Sequence, residues 1–172
     1  MIELKIQGTP VQIKKTPIKV NQILEFQAID SLNNLQVVNL KTFQGTKKII
    51  SSIPSLDTNT CAIQTTKFNQ YAAKNFNNYQ VITISKDLPF AQSRFCKTLS
   101  LNKNFHVWSD YMNNHNSFAN QTNLLIDQNQ LLARCVMVLD ENNKVLYQQI
   151  VKEVANEPDY QQVINFIEAL KK

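Results

Sequence analysis

Glycine is nearly absent from this chain. Gly8 and Gly45 are its only two glycines in 172 residues, so tight turns must rely on other residues. Asparagine is frequent and tolerates left-handed backbone better than most side chains. "SLNNLQ", "FNNYQ" and "DENNKV" therefore read as turns in which Asn stands where Gly would be usual. Long apolar runs are also missing. No stretch approaches the roughly 20 residues of a membrane span, and "MIELKIQGTPVQIKK" alternates apolar and polar residues instead of carrying the apolar core of a secretory signal. These absences predict a cytoplasmic protein with no membrane partner. In that compartment cysteines that pair are redox-active or catalytic more often than structural. Charge is present but not concentrated. The formal net charge is +5, with short pairs at Lys14-Lys15, Lys47-Lys48 and Lys171-Lys172 and no basic block interleaved with aromatics, so nothing points to nucleic acid. Internal repeats, linkers and low-complexity tracts are absent as well, which predicts a single domain over residues 1–172.

The remaining pattern predicts alternating strands and helices. "IELKIQ" and "VQIKK" flank "GTP" as a hairpin, and "EFQAID" and "LQVVNL" surround a turn. "KKIISSI" is a strand leading into Pro54. A helix is predicted from Asn59 to Phe76, with Ala62, Ile63, Phe68, Tyr71 and Ala72 near one face. "YQVITIS" has the β-branched run of a buried strand. In "DLPFAQSRFCKTL", Asp87 is read as the cap and Pro89 as the first turn of a second helix. "FHVWS" is a short strand candidate, and 110–130 shows no firm pattern. "LLARCVMVLD" and "KVLYQQIV" form a hairpin through "ENN", and "EPDYQQVINFIEALKK" closes the chain as a helix. Strand, helix, strand, helix, hairpin, helix is the thioredoxin-like order. The expected fold is α/β, a central mixed sheet flanked by helices with an N-terminal β-hairpin added.

The chemistry centres on "SSIPSLDTNTCAIQ". Cys61 stands where a strand has ended and a helix begins. Amides at a helix start lack intrahelical partners and favour negative charge, and the thiolate is the reactive form of cysteine. Thr58 is placed to cap the helix or to hydrogen-bond at the sulfur, and Pro54 to wall the sulfur from water. The bland alternative is a quiet thiol behind a threonine cap. Cys96 weighs against it, since it lies on the next helix, one strand later, where a sulfenic acid at Cys61 could condense with it. Cys135, in an apolar strand, is assigned to core packing. No C-x-x-C occurs. Cysteine and histidine spacings do not suggest zinc, and His106 and His115 are read as surface or packing residues. Arg134 is a permanent cation beside an apolar strand, where charge is rare unless paired.

"IPSLDTNTCAIQTTKFNQ" and "ISKDLPFAQSRFC" resemble the two signature segments of the thiol peroxidases, the atypical two-cysteine peroxiredoxins of bacteria. "ARCVMVLDENNKV" and "EVANEPDY" resemble that family's last strand pair and the lead into its last helix, so the likeness spans nearly the whole chain. It implies Cys61 as peroxidatic cysteine, Cys96 as resolving cysteine, Thr58 and Pro54 as pocket residues and Arg134 as the active-site arginine. It further implies reduction of alkyl hydroperoxides and hydrogen peroxide through an intramolecular disulfide. Thioredoxin would be the reductant and a homodimer the assembly, with no metal, haem or flavin. A peroxide sensor that relays oxidation to a partner protein would use the same residues. Asn59-Thr60 depart from the small or apolar residues common there, and 113–130 lacks the family's glycines. A disulfide needs Cα atoms roughly 4.4–6.8 Å apart, so two cysteines on separate helices imply local unwinding between the reduced and oxidised forms.

Overall fold

The computed structural model describes residues 1–172. The chain opens with β1 (Ile2–Ile6) and β2 (Thr9–Ile13), paired antiparallel as a separate two-stranded sheet. Their turn is Gln7-Gly8, both at positive φ (49° and 82°), as a two-residue hairpin of this hand requires. The turn thus sits ahead of the "GTP" read from sequence, and Thr9 and Pro10 belong to β2. The edge position tolerates Pro10, which has no N–H to offer a ladder.

The main sheet has seven strands: β3 (Gln27–Asp30), β4 (Val37–Asn39), β5 (Lys47–Ser52), β6 (Tyr79–Ser85), β7 (Phe105–Ser109), β8 (Cys135–Leu139) and β9 (Val145–Ile150). Their spatial order is β4-β3-β7-β6-β5-β8-β9, with β5, β6 and β7 parallel and the remaining pairs antiparallel. The helices are α1 (Asn59–Ala72), α2 (Pro89–Cys96), α3 (Phe118–Thr122) and α4 (Tyr160–Leu170). The mixed sheet flanked by helices, with its added hairpin, is the architecture expected from sequence. No helix is long and apolar enough to cross a membrane.

Period-two alternation in the central strands divides the core in two. Ile49, Val81, Val107, Val136 and Val138 face Phe68 and Ala72 of α1, Cys96 of α2, and Val163 and Ile167 of α4. Ile50, Ile82, Ile84, Met137 and Leu139 face Leu4, Val11 and Ile13 of the hairpin and Phe118 of α3. Each fully buried aliphatic side chain among them contributes about 1.5–3 kcal/mol of transfer free energy. The same alternation separates the cysteines. Cys61 and Cys96 join the helical face, while Cys135 joins the hairpin face, wholly buried, its thiol pushed up to about 12 by desolvation.

Several local expectations change in the folded chain. The first helix stops at Ala72 instead of Phe76. The Phe76 amide reaches back to the Tyr71 carbonyl at 2.9 Å, and its ring turns into the core beside Phe68. Asn34 and Asn143 adopt positive φ, the glycine substitution expected of "SLNN" and "ENN"; Asn77 and Asn78 turn without it. Asp87 does not cap α2. Leu88 occupies the N-cap, Pro89 opens the helix, and the Asp87 carboxylate points elsewhere. The patternless stretch 110–130 contains α3, a helix of 5 residues held from outside. The buried Asp110 carboxylate accepts from the amides of Phe118 and Ala119 at 2.8 and 2.9 Å. His106 is half-buried against Phe43 with its Nε2 on Gln80, and His115 is exposed, in keeping with packing and surface roles.

The placement of Cys135 generates a test. Cys135→Ala should cost about 1–2 kcal/mol of stability in urea denaturation, the scale of a small buried truncation, and leave reactivity toward peroxides unchanged. A loss of reactivity without loss of folding would remove Cys135 from a packing role.

Candidate active site

Strand β5 ends at Ser52, and the chain runs through the buried Ile53 and Pro54 and the turn 55–58 before α1 begins. Cys61 is the third residue of that helix and is fully buried. The first intrahelical-type bond is Ala62 N to Thr58 O at 3.0 Å; the amides of Asn59, Thr60 and Cys61 precede it and point out of the helix end beside the sulfur's own turn. Thr58 is the N-cap residue with extended backbone, as expected, but its side chain does not cap the helix. Its hydroxyl donates to Ser55 O at 2.8 Å, which tightens the turn, and makes no hydrogen bond to Cys61. Pro54 is buried at the base of the same turn.

Arg134 immediately precedes β8 and is 2% exposed. Its guanidinium donates in three directions: Nε to Val154 O at 2.9 Å, Nη1 to Gln64 Oε1 at 2.8 Å and Nη2 to Cys61 Sγ at 3.4 Å. None of the chain's salt bridges includes it. A buried cation without a carboxylate is unusual, and here the sulfur is the one group among its partners able to become an anion. The arginine is held firmly. Gln64, one helical turn after Cys61 and wholly buried, is itself fixed by donating from Nε2 to Ser51 Oγ at 2.7 Å. Val154 is fixed from behind by the hairpin, its amide donating to Lys5 O at 2.7 Å, while the Glu153 carboxylate accepts from the turn amides of Gln7 and Gly8.

An acidic group within the field of Arg134 is engaged elsewhere. Glu157 accepts from Tyr160 Oη at 2.7 Å and Lys67 Nζ at 3.0 Å, and the Tyr160 hydrogen bond is the main cause that holds its carboxyl below the ordinary range. Lys67 Nζ also lies 4.7 Å from the Tyr160 ring centre. Burial, with Glu157 adding to it, pushes the Tyr160 phenol up.

Cys96 closes α2, is 3% exposed and free, and shares the hydrophobic face of Cys61 without bonding to it. Desolvation pushes its thiol up to about 11. Of the five residues expected to form the site, the fold therefore brings Cys61 and Arg134 into direct contact, puts Pro54 and Thr58 in the turn that leads to Cys61, and leaves Cys96 on a separate helix. Sequence reasoning missed Gln64, although its position three residues after Cys61 on the same helical face was a usable signal. It also missed the Val154 carbonyl, a backbone group that carries no side-chain signature, and the true partners of Asp87. Asp87 Oδ1 accepts from Ser55 Oγ at 2.7 Å and Oδ2 from Leu56 N at 2.8 Å, so it anchors the turn before Cys61. No cluster of three or more His, Cys, Asp or Glu that could hold a metal ion is present.

The Redoxin family model matches residues 19–164. The thiol peroxidase of Bacillus subtilis is 40% identical over 173 residues, covering 100% of both chains. That of Staphylococcus saprophyticus is 38% identical over 165 residues, covering 95% of this chain and 96% of its own. Among solved structures, a peroxiredoxin-like protein from Aquifex aeolicus superposes with a TM-score of 0.86 at 31% identity, covering 98% of this chain and 96% of that one. A thiol peroxidase from Chromobacterium violaceum superposes with a TM-score of 0.87 at 15% identity, covering 99% and 97%, and so shares the fold. With a buried arginine on a helix-start cysteine and full-length relatives of this kind, the chain belongs to the Redoxin family, among its thiol peroxidases.

Proposed function

We propose that this protein is a peroxidase that reduces alkyl hydroperoxides and hydrogen peroxide, with Cys61 as the peroxidatic and Cys96 as the resolving cysteine. The observation that carries the reading is the Arg134 guanidinium, buried without a carboxylate and donating to Cys61 Sγ. The Cys61 thiolate attacks one peroxide oxygen in line. The O–O bond breaks, sulfur gives up an electron pair, and water or an alcohol leaves after taking a proton. Charge develops on the oxygens during this step, beside the guanidinium and the free amides at the start of α1, where preorganised donors help most. Pro54 walls the pocket, and the Thr58 hydroxyl turns from Ser55 O to orient the peroxide.

Burial divides the labour between the cysteines. Cys96 remains a thiol at neutral pH and is a poor target for peroxide. Unwinding α2 hydrates it, returns it toward ordinary acidity and frees it to attack the Cys61 sulfenic acid. The resulting disulfide is reduced by thioredoxin, and the chain works as one domain in a cytoplasmic homodimer; the family likeness supports these assignments. The chemistry needs no metal, haem or flavin.

Peptide mapping after one equivalent of hydroperoxide, without reductant, should show the loss of two hydrogens as a Cys61–Cys96 crosslink. Sulfinic acid at Cys61 with Cys96 free would favour a sensor that relays oxidation to a partner. An unchanged Cys61 would leave a quiet buried thiol. Arg134→Met should lower the second-order rate with peroxide roughly 100- to 1,000-fold in stopped flow. Arg134→Lys should recover little of it, because an ammonium cannot span three acceptors set in a planar fork. In Cys61→Ser, peroxide consumption should cease and thiol titration should still find Cys96 reduced.

A further inference from the structure

Hydrogen bonds from the turn before Cys61 converge on one carboxylate, which Ser85 links to the helix of Cys96. Asp87 lies between β6 and α2. Besides Ser55 and Leu56, it accepts at Oδ2 from Ser85 Oγ at 2.6 Å. Ser85 Oγ in turn accepts from Gln92 Nε2 at 2.9 Å. The same Nε2 reaches Trp108 O at 2.9 Å, and Gln92 Oε1 accepts from Ser31 Oγ. Gln92 is wholly buried and lies four residues before Cys96, on the same face of α2. A chain of side chains, half-buried at Ser55 and Asp87 and buried at Ser85 and Gln92, thus runs from the turn that precedes Cys61 to the helix that carries Cys96.

We propose that Asp87, Ser85 and Gln92 form a latch that closes the 55–58 turn and α2 together, and that its release sets the rate at which oxidised Cys61 reaches Cys96. The proposal rests on the reading of Cys96 as resolving cysteine. In the step itself, Cys61 S–OH and Cys96 S–H become an S–S bond. The S–O bond breaks, the hydroxyl leaves with the thiol's proton as water, Cys96 is oxidised, and the Cys61 sulfenic sulfur is reduced. No further reagent is required. Unwinding α2 pulls Gln92 out of a buried site, leaves the buried Ser31 hydroxyl without its partner, and takes a donor from Ser85 Oγ and from the Trp108 carbonyl. Opening the 55–58 turn removes two of the three donors on the half-buried Asp87 carboxylate and leaves it Ser85 alone. Buried polar groups without partners are costly, and Ser85 is shared between the two openings, so release at one end loosens the other. A tight latch also prolongs the life of the sulfenic acid, which a second peroxide converts to sulfinic acid. Gln92 acts as a positioning residue, at a distance from the oxidised sulfur.

Trp108 is the only tryptophan, and its carbonyl belongs to the latch, so its fluorescence can follow the opening. The test is stopped flow on the full chain with hydrogen peroxide, with disulfide formation confirmed by peptide mapping. Gln92→Ala should form the disulfide on the order of tenfold faster. The second-order rate of the first oxidation should stay at the wild-type value, and the peroxide concentration that half-converts Cys61 to sulfinic acid should rise in step. Ser31→Ala, which removes one bond from Gln92, should show the same signs at about threefold; it keeps the test open if Gln92→Ala does not fold. In the double variant Ser55→Ala/Gln92→Ala, the acceleration should fall short of the product of the single effects. Unchanged or slower disulfide formation in a folded variant overturns the latch, and multiplicative effects overturn the coupling between its two ends. A wild-type chain that forms no Cys61–Cys96 disulfide instead overturns the resolving assignment, and the proposal with it.

Discussion

A guanidinium without a carboxylate, buried against a sulfur, is the constraint on which the rest of this molecule depends. Taking a cation out of water costs several kcal/mol even after relaxation. Arg134 offsets part of that cost with hydrogen bonds to Val154 O and Gln64 Oε1 and holds its third direction against Cys61 Sγ. The partners arrive from two distant parts of the chain. The sulfur and the amide come from α1. The carbonyl comes from the segment after β9, which is pinned in place by the N-terminal hairpin. The arginine itself hangs from the start of β8. Two hydrophobic cores, one on each face of the sheet, supply the rigidity that keeps these elements in register.

Electrostatic restraint around Arg134 matters as much as the contacts. Gln64 accepts a hydrogen bond but brings no charge, and Glu157 is engaged by Lys67 and Tyr160. No carboxylate therefore forms a salt bridge with the guanidinium, whose field is directed at the sulfur. Cys96 experiences the opposite environment. It is buried in the apolar cluster on the helical face, and desolvation pushes its thiol up to about 11. Two thiols on one face of one sheet are thus given different surroundings, a cation at one and only apolar burial at the other.

Polar groups inside this protein are largely satisfied, and where they cluster they connect separate elements. Ser51, Ser52, Ser85, Gln64 and Gln92 are all buried, and all have hydrogen-bond partners. Ser51 and Gln64 brace the arginine. Ser85 and Gln92 join the helix of Cys96 to the turn before Cys61 through Asp87. Such networks are stable when complete and costly when broken, which is the property the proposed latch would use.

Local signals accounted for much of this in advance. Alternation and β-branched runs marked the strands of the main sheet, Pro89 marked the start of α2, and the spacing of Pro54, Thr58 and Cys61 marked a thiol at a helix start, because each is a property of a few neighbouring residues. Asn34 and Asn143 took the left-handed turns left open by so few glycines, for the same reason. What lay beyond reach depended on partners distant in the chain. Asp87 reads as a helix cap by position, yet its carboxylate goes to Ser55 and Leu56, more than thirty residues upstream. The helix α3 shows no periodicity because Asp110 and the hairpin-side core hold it. Gln64 and the Val154 carbonyl became site components only when β8 and the segment after β9 brought Arg134 onto α1. The sequence by itself determined which residues are candidates for the chemistry and on which elements they lie. Only the tertiary structure decided which of them meet, because a buried charge takes its partners from whatever the packing of distant segments places within hydrogen-bonding reach.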